Sequence, residues 1–132
     1  MRLVVDASAA SYLATSARGF QPLETHELHA PPLLWSEVTA AVHQQVWRGV
    51  LSASLGRTAL EQLAAAPITP SDDHVMLLVE AWDIADRLGW AKTYDAEYVA
   101  LTIRLNAALL TRDARLRRGV GQLIETADPF DL

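Results

Sequence analysis

The sequence contains no cysteine. Disulfide bonds, thiolate nucleophiles and cysteine-ligated zinc sites are therefore excluded. The four histidines, His26, His29, His43 and His74, form no pair at the spacing of a metal-binding motif. We therefore expect no zinc site.

Long hydrophobic runs are absent as well. No apolar stretch approaches the roughly 20 residues that cross a membrane. The apolar run at residues 3–5 stops at Asp6, and Arg2 is the only positive charge before it, so no secretory leader is expected. Glycine and proline are scarce, and no internal repeat is present. The 132 residues therefore predict one cytoplasmic globular domain spanning 1–132.

Positively charged residues are outnumbered by negatively charged ones. The chain has 11 lysine and arginine residues against 16 aspartate and glutamate residues, giving a formal net charge of −5. Proteins that bind nucleic acid through bulk electrostatics rely on lysine and arginine to neutralise phosphates. Nucleic-acid binding would therefore need a local basic patch, and the excess acid is free to form a metal site.

Short apolar runs alternate with segments of helical periodicity. Strands are predicted at 3–5, 107–110 and 122–125, with shorter ones at 28–30 and 67–70. Helices are predicted over 7–17, 33–48, 52–66, 71–88, 93–105 and 114–118. Ser71 is expected to cap the fourth helix, with Asp72 and Asp73 in its first turn.

This alternation predicts an α/β fold with a short, mostly parallel sheet of four or five strands, covered by helices on both faces. With right-handed crossovers, the first strand pairs with strand 107–110, and the expected order is 3-2-1-4-5. The order reverses between those two strands, and open α/β sheets place their functional sites at the carboxyl ends there. Asp6 and Asp113 stand at these two ends.

Each acidic residue also has an ordinary structural explanation. Asp6 and Asp113 are positioned to cap the helices that follow them, and Asp95 lies in the first turn of its helix. Glu37 is harder to explain, because it is flanked by apolar residues and has no lysine or arginine one turn away. Carboxylates at the edge of apolar surface need a partner, and Mg²⁺ or Mn²⁺ suits several of them at once.

Four motifs in order resemble those of the PIN-domain ribonucleases, most closely the VapC-type toxins of bacterial toxin–antitoxin pairs. They are VVDASA at 4–9, PPLLWSEV at 31–38, TYDAEYVAL at 93–101 and LLTRDARL at 109–116. Their order and spacing fit the family over nearly the whole chain. The resemblance implies a three-layer α/β/α PIN-like domain. It also implies a catalytic metal site formed by Asp6, Glu37, Asp95 and Asp113, with Ser8 and Thr111 as supporting hydroxyls.

The resemblance also implies Mg²⁺- or Mn²⁺-dependent hydrolysis of RNA phosphodiester bonds, leaving a 5′-phosphate and a 3′-hydroxyl. It implies two protein partners, a second copy of the chain and a small VapB-like antitoxin. Of the four tryptophans, Trp47 and Trp90 lie near predicted helix ends, where exposure on such surfaces is expected.

A group of arginines surrounds the last motif, and two interpretations are open. The group comprises Arg104, Arg112, Arg115, Arg117 and Arg118. The first interpretation is a solvated helix face whose cations favour the helix dipole. The second is a phosphate-binding rim beside the metal site, in which the substrate-binding residues are Arg112, Arg115, Arg117 and Arg118.

Two other functions compete with nuclease activity. Phosphoryl transfer through Asp6 would resemble receiver or haloacid-dehalogenase-like proteins. However, Ser8 stands where the second aspartate of the dehalogenase pattern belongs, and the late lysine of receivers has only Lys92 as a candidate. A PIN-like scaffold that binds RNA or protein without cutting normally has an incomplete acid set. The complete set here favours a nuclease.

Overall fold

The computed structural model describes residues Met1–Leu132, in which five short strands alternate with six α-helices. The strands are β1 Arg2–Val5, β2 Glu27–Ala30, β3 Ile68–Pro70, β4 Ala108–Leu110 and β5 Glu125–Ala127. The helices are α1 Ala7–Ala14, α2 Leu33–Trp47, α3 Ala53–Ala65, α4 His74–Leu88, α5 Tyr94–Leu105 and α6 Ala114–Val120. Short 3₁₀ turns lie at Gln21–Leu23 and Pro129–Asp131.

The five strands form one sheet in the order β3-β2-β1-β4-β5, and every pairing is parallel. The predicted order is confirmed. The continuous apolar runs of β1 and β4 occupy the centre of this sheet and are buried, as expected for strands covered on both faces. Val5 pairs with Leu110, so β1 and β4 end side by side.

Helices complete the three layers. α1, α2 and α3 pack against one another, while α4 packs against α5, which lies on β1 and β4. One apolar core of 31 buried residues joins the layers, with Tyr98 of α5 among its largest side chains. No helix is long and apolar enough to cross a membrane.

The predicted start of α4 is wrong. The helix begins at His74, no acidic residue lies in its first turn, and no side chain caps it. Ser71 N–H instead donates to Ala30 O, which extends the pairing with β2 beyond β3. The chain therefore turns later, through Asp73 in the left-handed region at φ 49°, a conformation that aspartate tolerates better than most residues.

Two other boundaries also differ from the prediction. β5 lies three residues later than expected, because α6 continues through Gly119 to Val120. α1 ends at Ala14 rather than at residue 17. The hydroxyls of Thr15 and Ser16 donate to carbonyls of its last turn, at Ser11 and Tyr12, and so provide an alternative to further helix.

The segment after α1 is fixed by a glutamine from α3. Gln62 Nε2 donates to the carbonyl oxygens of Ala14 and Ser16, at 3.0 and 3.1 Å. Gln62 Oε1 lies only 1.9 Å from the position that a Cβ at Gly19 would take, and Gly19 has φ +55°. Both the backbone conformation and the close approach therefore require glycine at this position.

We expect Gly19→Ala to destabilise the protein more than Gly49→Ala. Gly49 also has a positive φ, of +75°, but nothing lies within 4 Å of a Cβ there. The Gly49 variant should lose about 1 kcal/mol from the unfavourable φ alone. The Gly19 variant should lose roughly 1–3 kcal/mol more, because Gln62 must move. Urea unfolding of both variants measures the difference, and equal losses would contradict the assigned role of Gln62.

Candidate active site

Asp6 directly follows β1, and hydrogen bonds hold one oxygen of its carboxylate in place. The side chain is only 4% exposed. Its Oδ1 accepts hydrogen bonds from Ser8 Oγ at 2.7 Å and from the N–H of Ala9 at 2.9 Å. Asp6 is therefore the N-cap of α1, as its position predicted.

A hydroxyl network joins this strand end to the end of β4. Ser8 Oγ lies 3.3 Å from Oγ1 of the fully buried Thr111, and it accepts the N–H of Arg112 at 2.9 Å. Thr111 Oγ1 in turn accepts the N–H of Asp113 at 3.0 Å. The two predicted supporting hydroxyls therefore lie between the two strand-end carboxylates.

Asp113 caps α6, because its Oδ1 accepts the N–H groups of Arg115 and Leu116. The capping explanation and the site explanation are thus compatible for both strand-end aspartates. Capping occupies one carboxylate oxygen of each and fixes the direction of the other.

The other two acids come from α2 and α5. Tyr98 donates its hydroxyl proton to Glu37 Oε1 over 2.5 Å. Asp95 lies one turn before Tyr98 on α5 and makes no hydrogen bond that lowers its pKa. Glu37, Asp95 and Asp113 line the same cleft, of about 610 Å³. The structure therefore brings the predicted acids to one edge of the sheet.

Burial and the neighbouring carboxylates raise the pKa values of three of the four acids. Burial raises the pKa of Asp6, and Asp95 raises it further, against hydrogen bonds from Thr111, Ala9 and Ser8. Burial likewise raises the pKa of Glu37, with Asp95 and Asp6 adding to the shift against the hydrogen bond from Tyr98. The pKa of Asp95 is raised by burial and by Asp113.

No lysine or arginine forms an ion pair with these carboxylates. The ion pairs of the structure join Arg2 and His29 to Glu27, Arg104 to Glu80, and Arg117 to Asp128. None of them involves Asp6, Glu37, Asp95 or Asp113. The site is a concentration of negative charge whose carboxylates are not ion-paired within the protein.

Tyr98 and Glu97 are site residues that the sequence reasoning missed. Burial and the Glu37 carboxylate raise the pKa of Tyr98, which keeps its hydroxyl neutral and able to donate. Glu97 is only 5% exposed, its Oε1 has no hydrogen-bond partner, and burial raises its pKa. The seven residues of α5 from Ala96 to Thr102 are all buried, so helical periodicity could not separate a site-facing residue from a core residue there.

The four arginines of the predicted rim lie in four different environments. Arg115 lines the acidic cleft, and Arg118 is exposed without an ion-pair partner. Arg117 Nη1 lies 3.9 Å from Asp128 Oδ2, and the guanidinium of Arg112 stacks on two aromatic rings. Arg104, the fifth member of the group, lies outside the rim because it binds Glu80 at 2.7 Å and the carbonyl of Asp72.

The exposed tryptophans are Trp47 and Trp82, at 81% and 64% exposure. Both Trp47 and Trp90 were expected to be exposed. The expectation is confirmed for Trp47 and wrong for Trp90, which is partly buried against the core and lines the acidic cleft. Trp82 belongs to an apolar surface on α4, the α4 face, which comprises Val75, Leu78, Val79 and Trp82.

The donor chemistry of the site fits a hydrated divalent ion. Carboxylate and hydroxyl oxygens suit Mg²⁺ or Mn²⁺. No group of three or more histidine, aspartate or glutamate side chains is already placed to hold one ion together. Mg²⁺ keeps several waters and is often bound through one or two carboxylates. The carboxylates of Asp6 and Asp95, which have no ion-pair partner in the protein, meet that requirement.

Comparisons with known proteins agree with this architecture. Residues 3–121 match the PIN domain family. VapC ribonuclease Mb0985 of Mycobacterium bovis and ribonuclease VapC9 of Mycobacterium tuberculosis are each 37% identical over 115 residues, which cover 86% of this chain and 87% of theirs.

Two solved structures share the fold. PAE2754 from Pyrobaculum aerophilum superposes with a TM-score of 0.74 at 21% identity, covering 99% of this chain and 94% of that one. VapBC2 from Rickettsia felis, bound to a DNA fragment from its promoter, superposes with a TM-score of 0.63 at 12% identity, covering 97% and 98%. The family match and the identity to the VapC ribonucleases lead to one conclusion: this chain belongs to the PIN domain family.

Proposed function

We propose that this protein is a metal-dependent endoribonuclease and the toxin of a toxin–antitoxin pair. The observation that carries the proposal is the set of four carboxylates, none of them ion-paired within the protein, that two strand ends and two helices bring to one edge of the sheet. The ribonuclease names of its relatives support RNA as the substrate. Family membership removes the receiver-like and dehalogenase-like alternatives, so a non-cutting PIN-like scaffold is the remaining competitor.

In this proposal Asp6, Glu37, Asp95 and Asp113 hold Mg²⁺ or Mn²⁺. A bound ion of this kind lowers the pKa of a water and offsets charge that develops on a phosphate during hydrolysis. Ser8 and Thr111 are positioning residues, because they fix Asp6 and the backbone before Asp113. Tyr98 does the same for Glu37, since its proton occupies one carboxylate oxygen.

The substrate is held by local rather than overall positive charge. Arg115 lies on the cleft wall beside Asp113, and Lys92 is on the same wall. Contacts from such residues to phosphates set the position of a nucleic acid without reading its bases. A net charge of −5 makes these few cations the main attraction for RNA.

Two protein partners belong to the proposal. The α4 face is assigned to a second copy of this chain, because one helix presents a continuous apolar surface that can pair with itself about a two-fold axis. A VapB-like antitoxin is assigned to the exposed apolar residues around the α2–α3 turn, Trp47, Val50 and Leu55. Two neighbouring folds come from structures of VapBC pairs, which supports an antitoxin partner.

Asp6→Asn should reduce RNA cleavage at least about 100-fold, because it removes one charge from the metal site. The assay uses purified, antitoxin-free protein with Mg²⁺ or Mn²⁺, and with EDTA in a parallel reaction. Asp83→Asn makes the same chemical change on the exposed side of α4 and should cut RNA like the wild type. Undiminished cleavage by the Asp6 variant would refute the assignment of Asp6, and cleavage in EDTA would refute metal dependence.

Metal-free protein should become more stable when Asp95 loses its charge. A carboxyl whose pKa is higher in the folded state costs stability when ionised; that cost is present above the folded pKa and disappears as the pH falls towards the unfolded value. We therefore expect Asp95→Asn to raise the Tm in EDTA at pH 7 by about 1–3 °C, and by less near pH 4.5.

Added Mg²⁺ should reverse that ranking, raising the Tm of the wild type more than that of the Asp95 variant. Differential scanning fluorimetry at both pH values, with and without Mg²⁺, measures both effects. A variant that is less stable than the wild type in EDTA at pH 7 would contradict the repulsion. Equal Mg²⁺ shifts would contradict metal binding by Asp95.

Val79→Glu should convert a dimer to a monomer, because it places a charge in the centre of the α4 face. Leu55→Glu is the matched control, since it introduces the same charge at an exposed leucine of the α2–α3 region. Sedimentation analysis should find a dimer for the wild type and the control and a monomer for Val79→Glu. A dimer in all three would place the self-interface elsewhere.

A further inference from the structure

A second cluster of interest lies beside the acidic site and contains one cation and two aromatic rings. The Arg112 guanidinium carbon is 4.3 Å from the ring centre of Tyr12 and 4.5 Å from that of Phe130. The two ring centres are 4.9 Å apart, with their planes inclined at 53°. All three side chains, which we call the Arg112 cluster, are therefore in mutual contact, with favourable cation–π geometry.

The guanidinium of Arg112 is held without using its hydrogen-bond donors. Its side chain makes no hydrogen bond and no ion pair, whereas Arg104 and Arg117 are engaged by carboxylates. An arginine packed on rings has already lost much of its rotamer freedom, so less entropy is lost when a ligand binds. Its planar set of N–H donors matches a phosphate.

Phe130 presents an aromatic surface to solvent, with 64% of the residue exposed. The backbone beneath the ring is nevertheless hydrogen-bonded and packed. The N–H of Phe130 donates to Asp128 Oδ1 at 2.9 Å, the preceding Pro129 is buried, and Asp128 pairs with Arg117. A fixed, exposed ring offers a surface on which a nucleobase can stack.

The Arg112 cluster is directly connected to the acidic site. Arg112 stands between Thr111 and Asp113, and its backbone N–H donates to Ser8 Oγ. Tyr12 is one helical turn after Ser8 on α1. A single-stranded RNA with a phosphate at the carboxylates could therefore place a neighbouring nucleotide on this cluster.

We propose that Tyr12, Arg112 and Phe130 form a nucleotide subsite for single-stranded RNA. A base stacks on the outer face of Phe130, and the adjoining phosphate accepts hydrogen bonds from Arg112, which Tyr12 and Phe130 hold in place. The inference rests on the proposed function, which supplies RNA as the substrate. Stacking on a ring tolerates any base, so the subsite contributes affinity and position rather than sequence choice.

The test is direct RNA binding in an Asp6→Asn background, which keeps the probe intact. The probes are a fluorescent oligouridylate of about 12 nucleotides and an abasic ribose-phosphate oligomer of the same length. Phe130→Leu should raise the Kd for oligouridylate about tenfold and the Kd for the abasic oligomer by no more than about threefold, since only a base can stack and Tyr12 still holds Arg112. Phe130→Tyr, which keeps a ring, should bind oligouridylate within about twofold of the parent.

Arg112→Gln should weaken both probes about tenfold and lower the slope of log Kd against log salt by about 0.7, the value for one lost phosphate contact. Arg18→Gln removes an equally exposed charge elsewhere and should change neither Kd by more than about twofold. Thermal unfolding of each variant checks that the fold is retained.

Unchanged binding of oligouridylate by Phe130→Leu and Arg112→Gln would overturn the subsite. An equal rise in the Kd for both probes in Phe130→Leu would also overturn it, because the ring would then act only by holding the protein chain in place. Cleavage of RNA by protein with Asp6 intact, run alongside, separates the two proposals. No cleavage refutes the proposed function itself, whereas cleavage with unchanged Kd values refutes the subsite alone.

Discussion

The parallel pairing of β1 with β4 is the constraint on which the site depends. Val5 pairs with Leu110, and the N–H of Asp6 continues the ladder by donating to Leu110 O at 3.1 Å. The two strands therefore end level, and Asp6 and Thr111 leave the sheet side by side. A shift of this register would separate Ser8 from Thr111 and break the hydroxyl network that orders both strand ends.

The site destabilises the folded protein electrostatically. Burial and mutual repulsion raise the pKa values of Asp6, Glu37 and Asp95, and no lysine or arginine pairs with any of them. The core must offset this destabilisation, and α5 shows how. Its residues from Ala96 to Thr102 are all buried, so the helix that presents Asp95 and Tyr98 is anchored by packing rather than by the site.

The pattern of the sequence was enough to predict the strands and their order, whereas the four acids were grouped as one site by the resemblance to the PIN-domain ribonucleases. The apolar run before Asp6 and the one before Asp113 identify buried parallel strands, and the order follows from the handedness of crossovers. The predicted start of α4 was wrong because of a tertiary contact. Ser71 pairs with Ala30 of β2 and so does not cap the helix.

Hydrophobic periodicity could not predict contacts between residues that are distant in the sequence. The hydrogen bond from Tyr98 to Glu37 spans 61 positions, and the stacking of Arg112 on Phe130 requires the exact path of the chain after β5. Tyr98 and Glu37 lie on helices that were predicted correctly, whereas Phe130 lies in a 3₁₀ turn that was not predicted. In both cases the sequence left the relative placement of the side chains undetermined.

The central claim is that the carboxylates at this sheet edge form a divalent metal site. The most direct measurement is anomalous diffraction from crystals grown with Mn²⁺. The account predicts a strong anomalous peak within ligand distance, about 2.0–2.2 Å, of an oxygen of Asp6 and of at least one of Glu37, Asp95 and Asp113. A fully occupied Mn²⁺ site elsewhere, with no peak at these carboxylates, would contradict it.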